Sequence, residues 1–218
     1  AFIDTFVKLA PFTCMYIFLH CIFLVALESN GVNGRISVNG QARDMTLFKK
    51  LSSYIMQDDL LQPRLTVAES MKIAADLKLG KELGNAEKEL IVEEILQTIG
   101  LWQHRDTMSQ HLSGGQSKRL SIALELVNNP PIMFLDEPTT GLDVVSIRQL
   151  VVLLRLLSRQ GRTIICTVHQ PSASLFSLFD RVYVLSRGLC CYQVRAEFCY
   201  YTAMSRKASD ILIKSDVS

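Results

Sequence analysis

The chain has 218 residues and a formal net charge of +2 at pH 7, and 49% of its residues are hydrophobic while 20% are charged. This composition excludes a disordered or collagen-like chain and provides enough apolar residues for a buried core. The sequence has no long block of like charges, so we do not expect a nucleic-acid partner.

An apolar stretch lies near the start of the chain. Leu9 to Leu27 contains no Asp, Glu, Lys or Arg. As a helix it would be roughly 28 Å long, close to the thickness of the hydrocarbon layer of a bilayer. Three interpretations are open: a membrane span, a buried segment, or residues foreign to the domain that follows. The signal-peptide pattern is poor, because the single upstream Lys8 is balanced by Asp4.

From residue 30 onward, short β-rich runs alternate with helical patterns. The predicted strands are 35–38, 53–56, 132–135, 163–168 and 181–185. The predicted helices are 63–79, 85–99, 114–128, 144–159 and a short one after 171. Thr66 and Glu69 have the spacing of a capping box at the start of the first helix. Continuous apolar strands that alternate with helices are typical of a parallel sheet covered on both faces, and the helix-rich stretch 63–128 indicates a separate lobe.

Two carboxylates follow the most apolar predicted strand. Asp136 and Glu137 come directly after Ile132 to Leu135, and the carboxyl edge of an open α/β sheet is where ligands bind. Asp136 suits Mg²⁺, which takes one or two carboxylates together with water and phosphate oxygens. Glu137 could accept a proton from an attacking water. The alternative is that the pair is simply acidic residues at a helix N-terminus, where negative charge is favourable.

A pair of glycines begins the third predicted helix, in the sequence Leu112-Ser113-Gly114-Gly115-Gln116. Glycines at a helix start leave unpaired N–H groups that a close-lying anion could bind. The alternative is an ordinary N-cap formed by Ser113, followed by a flexible Gly pair.

Taken together and in order, these motifs resemble those of the ATP-binding cassette (ABC) ATPases. Leu112 to Gln116 is similar to the signature motif, Ile132 to Asp136 with Glu137 to the Walker B strand, Gly141 to Asp143 to the D-loop, His169 to the switch histidine, and Gln57 to the Q-loop glutamine. Within the family, YIMQDD at 54–59, ELVNNPP at 125–131 and TVHQPS at 167–172 look like the G subfamily of white pigment and sterol transporters. The resemblance covers about 31–193.

The resemblance implies a fold, a function and a set of site residues. The implied fold is α/β, a P-loop NTPase-like, mostly parallel sheet with a helical signature subdomain. The implied function is that of a nucleotide-binding domain of a half-transporter, which couples ATP binding and hydrolysis to export of a lipid-like or pigment-precursor substrate. The cofactors would be ATP and Mg²⁺. The implied catalytic residues are Glu137, His169 and Gln57, the nucleotide-binding residues are Ser113, Gly114, Gly115, Gln116 and Asp143, and the Mg²⁺ residues are Asp136 and Gln57.

The resemblance also implies partners and a location. In such dimers each ATP lies between the phosphate loop of one subunit and the signature motif of the other, so we expect a second half-transporter subunit, identical or different. We expect the domain to be membrane-associated, on the cytoplasmic side, through a transmembrane domain that this chain does not contain.

The sequence departs from the family pattern at both ends. The family's phosphate-binding loop, G-x-x-x-x-G-K-[ST], is absent, because the one Gly-Lys pair, Gly80-Lys81, is followed by Glu82 and has Ala75 in place of the first glycine. No likeness continues beyond Gln193. We therefore expect an incomplete or misjoined coding sequence that is inactive alone, with an apolar non-family segment at 1–29, a partial nucleotide-binding domain at 30–193 with its helical subdomain at 63–128, and a divergent tail at 194–218.

Two other functions remain open at this stage. One is a non-catalytic, membrane-tethered module with Leu9 to Leu27 as its anchor and the signature helix as a partner-binding surface. The other is a soluble cassette ATPase of the DNA-repair or translation type, which the G-subfamily motifs disfavour. An anchor at 9–27 would remove the strand that normally carries the phosphate loop and leave its two neighbours unpaired. We therefore expect that 1–29 is not a working anchor and that the chain is poorly stable.

Overall fold

A computed structural model describes residues 12–16, 37–168, 172–186 and 189–195. The strands are β1 Phe12–Tyr16, β2 Ser37–Val38, β3 Gln41–Ala42, β4 Ser52–Ile55, β5 Ile132–Leu135, β6 Thr163–Thr167, β7 Arg181–Ser186 and β8 Leu189–Arg195. The α-helices are α1 Met45–Leu51, α2 Val67–Leu79, α3 Asn85–Thr98, α4 Gly114–Leu126, α5 Val144–Arg159 and α6 Ala173–Phe176. Short 3₁₀ turns at Trp102–His104 and Ser109–His111 lead into α4.

Within the described residues, six strands form one sheet in the order β4-β5-β6-β1-β7-β8. All neighbouring pairs are parallel except β7 and β8, which are antiparallel. The two most apolar predicted strands lie side by side, with Ile132 opposite Thr163 and Leu135 opposite Cys166. The predicted α/β fold with a mostly parallel sheet is therefore confirmed.

Strand β1 corrects one expectation from the sequence. Phe12–Tyr16 lies between β6 and β7 and pairs with both, so the sheet is continuous at its centre. The loss of a central strand, which we expected of an anchor at 9–27, does not occur, and the instability expected from unpaired neighbours loses its basis. The physical reason is that a central parallel strand is covered on both faces and is therefore as apolar as a membrane-spanning segment.

Most of the Leu9 to Leu27 stretch lies outside the described residues. Among the residues that the structure does describe, no helix is both long enough and apolar enough to cross a membrane. At the other end, β8 continues to Arg195 and so crosses the expected boundary between residues 193 and 194.

The helices that carry the signature motif and its neighbours begin at capped positions. The predicted capping box at α2 is confirmed, since the Glu69 amide donates to Thr66 Oγ1 at 3.2 Å and the Thr66 amide donates to Glu69 Oε2 at 2.8 Å. Helix α1 was not predicted from the sequence; Asp44 caps it and Phe48 is its buried residue. Such caps satisfy amides that a helix start leaves unpaired.

The hydrophobic core joins the sheet to the helices on either side of the site described below. All four residues of β5 are buried, and α5 packs a buried stripe that includes Leu150, Leu154 and Leu157 against the core. Helix α4 contributes Leu120 and Ile122, both with no exposed surface. Burial of these side chains fixes the end of β5 and the start of α4, where the candidate site residues lie.

Candidate functional site

Asp136 lies at the carboxyl end of β5 and receives hydrogen bonds from both neighbouring strands. Tyr54 Oη of β4 donates to Oδ2 at 3.1 Å, and Thr167 Oγ1 of β6 donates to Oδ1 at 3.3 Å. The Asp136 amide donates to the Ile55 carbonyl at 2.9 Å. The side chain is buried, with 7% of the residue exposed. Three adjacent strands therefore hold one carboxylate in a fixed position.

The surroundings of Asp136 disfavour its charged form. Burial raises the pKa of this carboxyl above its ordinary value, and the nearby Glu137 raises it further, while hydrogen bonds from Tyr54 and Thr167 and the charge of Lys118 act in the opposite direction. Burial, followed by the charge of Asp136, raises the pKa of Tyr54, so Tyr54 stays a proton donor. A buried carboxylate that lacks a full counter-charge is a favourable ligand for a cation.

Glu137 sits next to Asp136 on strained backbone. Its φ is +37°, in the left-handed region that non-glycine residues seldom occupy. Its amide donates to Thr167 Oγ1 at 2.7 Å, which holds this conformation. Its carboxylate accepts hydrogen bonds from Thr140 Oγ1 at 2.9 Å and from Gln57 Nε2 at 3.5 Å. Backbone strain of this kind often marks a functional position.

The structure thus brings three of the predicted site residues together: Gln57, Asp136 and Glu137. The remaining residue of the predicted catalytic and Mg²⁺ set, His169, lies outside the described residues. Groups of three or more His, Cys, Asp or Glu suited to a metal ion do not occur in the described part of the chain. Mg²⁺ needs fewer protein ligands than that, and one buried carboxylate beside a glutamine fits an ion that retains water and phosphate oxygens.

At the start of α4, the polar side chains of Ser113 and Gln116 form hydrogen bonds with other groups of the same chain. The Gln116 amide donates to Ser113 Oγ at 3.3 Å, and the Ser113 amide donates to Gln116 Oε1 at 2.8 Å. Gln116 Nε2 lies 3.1 Å from His104 Nε2. The N-cap that we considered as the simpler interpretation is therefore present. Ser113 and Gly114 are nevertheless exposed, so the helix start remains accessible to an anion.

Close packing explains the second glycine of the motif. A Cβ at Gly115 would lie 2.9 Å from Ser146 Oγ and 3.0 Å from Ser146 Cβ, whereas one at Gly114 would meet only the tip of Leu142, at 3.2 Å. The predicted D-loop residue Asp143 is nearby in sequence and caps α5, accepting from the amides of Val145 and Ser146 at 3.0 and 3.1 Å. Hydrogen bonds with Ser146, followed by those with Val145, lower the pKa of Asp143.

Sequence reasoning missed Tyr54, Thr167, Thr140 and Lys118 as site residues. Tyr54 is the next-to-last residue of β4 and Thr167 is the last residue of β6, the strands that flank β5. That position is a usable signal, because polar residues at the carboxyl ends of adjacent parallel strands meet at one edge. Lys118 gave no signal, since a lysine on a helix is ordinarily exposed.

Comparison with known proteins gives the same family. The family model described as "ABC transporter" matches residues 22–140. Among curated proteins, the chain is 44% identical over 163 residues to Protein scarlet of Drosophila melanogaster, which covers 72% of this chain and 24% of that protein. It is 37% identical over 173 residues to ABC transporter G family member 5 of Oryza sativa subsp. japonica, covering 77% of this chain and 22% of the relative. It is 40% identical over 166 residues to the broad substrate specificity ATP-binding cassette transporter ABCG2 of Sus scrofa, covering 74% and 25%.

The solved structures support the fold. The chain superimposes on cbiO1 of Clostridium perfringens, part of the ABC transporter complex cbiONQ, with a TM-score of 0.77 over 89% of this chain and 81% of that chain. At 22% identity this likeness concerns the fold alone. The chain spans about a quarter of the length of the curated relatives described above. The matched family model and these relatives place the chain in the ABC transporter family, with similarity to its G-type members.

Proposed function

We propose that this chain is a nucleotide-binding domain of a G-type ABC transporter, in which ATP binding and hydrolysis drive transport across a membrane. The observation that carries the proposal is the convergence of Gln57, Asp136 and Glu137 at the carboxyl end of β5. This is the edge at which α/β sheets bind ligands, and it lies within the part of the chain that the family model matches.

Each residue of this cluster has a distinct role in the proposed reaction. Asp136, with Gln57, would hold Mg²⁺, which neutralises charge on the phosphates. Glu137 would accept the proton of the attacking water, while hydrogen bonds from Thr140 and Gln57 orient its carboxylate. His169 is proposed to hold the γ-phosphate and that water, as the family resemblance implies.

The signature motif would act on a second nucleotide. The start of α4, where Ser113 and Gly114 are exposed and Gly115 is buried, is proposed to bind ATP held by the phosphate loop of a partner subunit, identical or different. Gln116 and Asp143 would support this surface through the caps of α4 and α5. Because the sequence has no G-x-x-x-x-G-K-[ST] loop, we expect the isolated chain to bind ATP weakly. Micromolar binding measured by calorimetry would contradict that expectation.

The proposal extends to the cellular setting. The substrate would be lipid-like or a pigment precursor, and the domain would act on the cytoplasmic side of a membrane. The alternative is an ABC-like module without hydrolysis, for which the missing phosphate loop is the supporting observation.

A chimaera with a full-length relative tests the proposed function. Residues 37–168 of this chain would replace the equivalent stretch of the pig ABCG2 protein, which is 40% identical, and Mg²⁺-dependent ATP hydrolysis would be measured in membranes. We expect hydrolysis, and Glu137→Gln should lower its rate by about 10²–10⁴-fold while sparing ATP binding, because a general base is lost.

The matched control is Glu125→Gln, which removes a carboxylate of α4 that pairs with Lys78. This variant should hydrolyse ATP at the parent rate. A folded chimaera that hydrolyses no ATP would contradict the proposal and favour the module without hydrolysis. Equal rates for Glu137→Gln and Glu125→Gln would assign the general base to another residue.

A further inference from the structure

Lys118 is a buried cation on α4, two residues after the signature motif. Only 3% of its side chain is exposed. Burying an ammonium group is costly unless it is paired and hydrogen-bonded, and fully buried lysines are rare. Its neighbours therefore indicate why a lysine is there.

The partners of Lys118 all belong to the segment that follows β4. Its Nζ donates to the Gln57 carbonyl at 2.7 Å and to the Met56 carbonyl at 3.4 Å, and it forms an ion pair with Asp59 Oδ1 at 2.7 Å. Ser121, one turn further along α4, donates to the same Asp59 oxygen at 2.8 Å. Helix α4 is thus bonded to residues 56–59 through three acceptors, the Met56 and Gln57 carbonyls and the Asp59 carboxylate.

This attachment fixes the backbone from which the Gln57 side chain extends. Gln57 is exposed, and its side-chain contact in the site is the 3.5 Å hydrogen bond to Glu137. Just before it, the Ile55 carbonyl accepts from the Asp136 amide. The segment is therefore fixed to β5 at Ile55 and to α4 at Gln57.

A role in holding residues 56–59 in place explains the charge of Lys118 better than a role in stabilising the fold. An apolar side chain of similar length could fill the same space, and replacing a buried ion pair with apolar residues is often neutral or stabilising. An apolar residue could not bind two carbonyls and a carboxylate.

We propose that Lys118 is a positioning residue that holds Gln57 against Glu137 and makes the place of Gln57 depend on that of the signature helix. The inference rests on the proposed function, in which Gln57 helps to hold Mg²⁺ and the signature motif binds ATP.

The test is NMR of the full chain labelled with ¹⁵N-glutamine, without nucleotide. In the unsubstituted chain, the Gln57 side-chain amide signals, assigned with Gln57→Glu, should be distinct from those of glutamine side chains without a hydrogen-bond partner. Lys118→Met should move them toward the positions of such unbonded glutamines. Cleavage before Asp58 by the protease Asp-N should become about tenfold faster, the factor that about 1.4 kcal/mol of local stability represents.

Lys78→Met is the matched control. Lys78 also bridges to α4, where it contacts Glu125 Oε1 at 2.7 Å and the Leu124 carbonyl at 2.8 Å, far along the helix from Lys118. It should change neither the Gln57 signals nor the cleavage rate. Unchanged Gln57 signals in folded Lys118→Met, or the same changes in Lys78→Met, would overturn the proposal.

If Lys118→Met does not fold, Asp59→Asn decides the question, because it weakens the same attachment and keeps the lysine. It should shift the Gln57 signals in the same direction, and unchanged signals would overturn the proposal. This measurement needs no nucleotide, so its failure is distinguishable from failure of the ATP hydrolysis test on the chimaera.

Discussion

The carboxylate cluster at the end of β5 and the glycine-rich start of α4 differ in the burial and the hydrogen bonding of their polar side chains. At β5, side chains from three strands converge on Asp136, and burial disfavours its charge. At α4, the polar side chains of Ser113 and Gln116 cap the helix, and the accessible groups are at the exposed helix start. Burial of a carboxylate disfavours the fold at the first region, where we propose a ligand site, whereas the second region combines a stabilising cap with the proposed anion site.

The Asp136 cluster depends on one hydroxyl, that of Thr167, which bonds both the Asp136 carboxylate and the Glu137 backbone amide. Thr167→Val removes the acceptor of the Glu137 amide and a donor to Asp136, and it leaves a polar group unsatisfied. We expect a loss of about 3 kcal/mol in the free energy of unfolding, measured by urea denaturation. Thr163→Val, at the other end of the same strand, should change stability by less than about 0.5 kcal/mol. Equal losses in the two variants would show that Thr167 acts only through strand packing.

The glycine pair at α4 should show a smaller, purely steric effect. Gly115→Ala places a Cβ against Ser146, so we expect a loss of about 2 kcal/mol in the free energy of unfolding. Gly114→Ala meets only the flexible tip of Leu142 and should cost about 0.5 kcal/mol or less.

A double-mutant cycle identifies the clash at Gly115. The added loss from Gly115→Ala should largely disappear in a Ser146→Gly background, because the contacting atoms are gone. If the loss is the same in both backgrounds, another neighbour of Gly115 is responsible.

Secondary structure was predicted correctly where the spacing of apolar residues in the sequence matches the residues that are buried in the fold. Strand β5 and helix α5 have the predicted bounds, and the Thr66 capping box is present. The prediction failed where one pattern fits two environments, as in β1, whose apolar residues suit a central strand and a bilayer equally well. Helix α1 has only seven residues, too few for a helical period to be visible.

The candidate site could be predicted only as far as its motifs. Gln57, Asp136 and Glu137 were identified from the sequence and are brought together in the structure. Thr167 could have been found from its place at the end of a strand that flanks β5. Lys118 depends on a contact across 61 positions of the chain, which no local pattern encodes. Tertiary packing decides such contacts, because it brings together elements that are distant in sequence.

The smallest expected effect is a gain in stability on replacing Asp136. Such a gain would show that the Asp136 carboxylate lowers the stability of the fold, whereas the cap of α4 raises it. Burial raises the pKa of Asp136 in the folded chain, so unfolding releases a proton between the unfolded and the folded pKa. Stability from this group is therefore present below the unfolded pKa and is lost as the pH rises through the folded pKa.

Asp136→Asn removes the cost of burying the charged form, so we expect a small gain in thermal stability at pH 7. The gain should shrink as the pH falls into the ordinary range of aspartate titration, and thermal unfolding of both chains across that range measures it. A loss of stability at pH 7 would mean that the hydrogen bonds from Tyr54 and Thr167 to the carboxylate outweigh its burial, and that this region, like the start of α4, stabilises the fold.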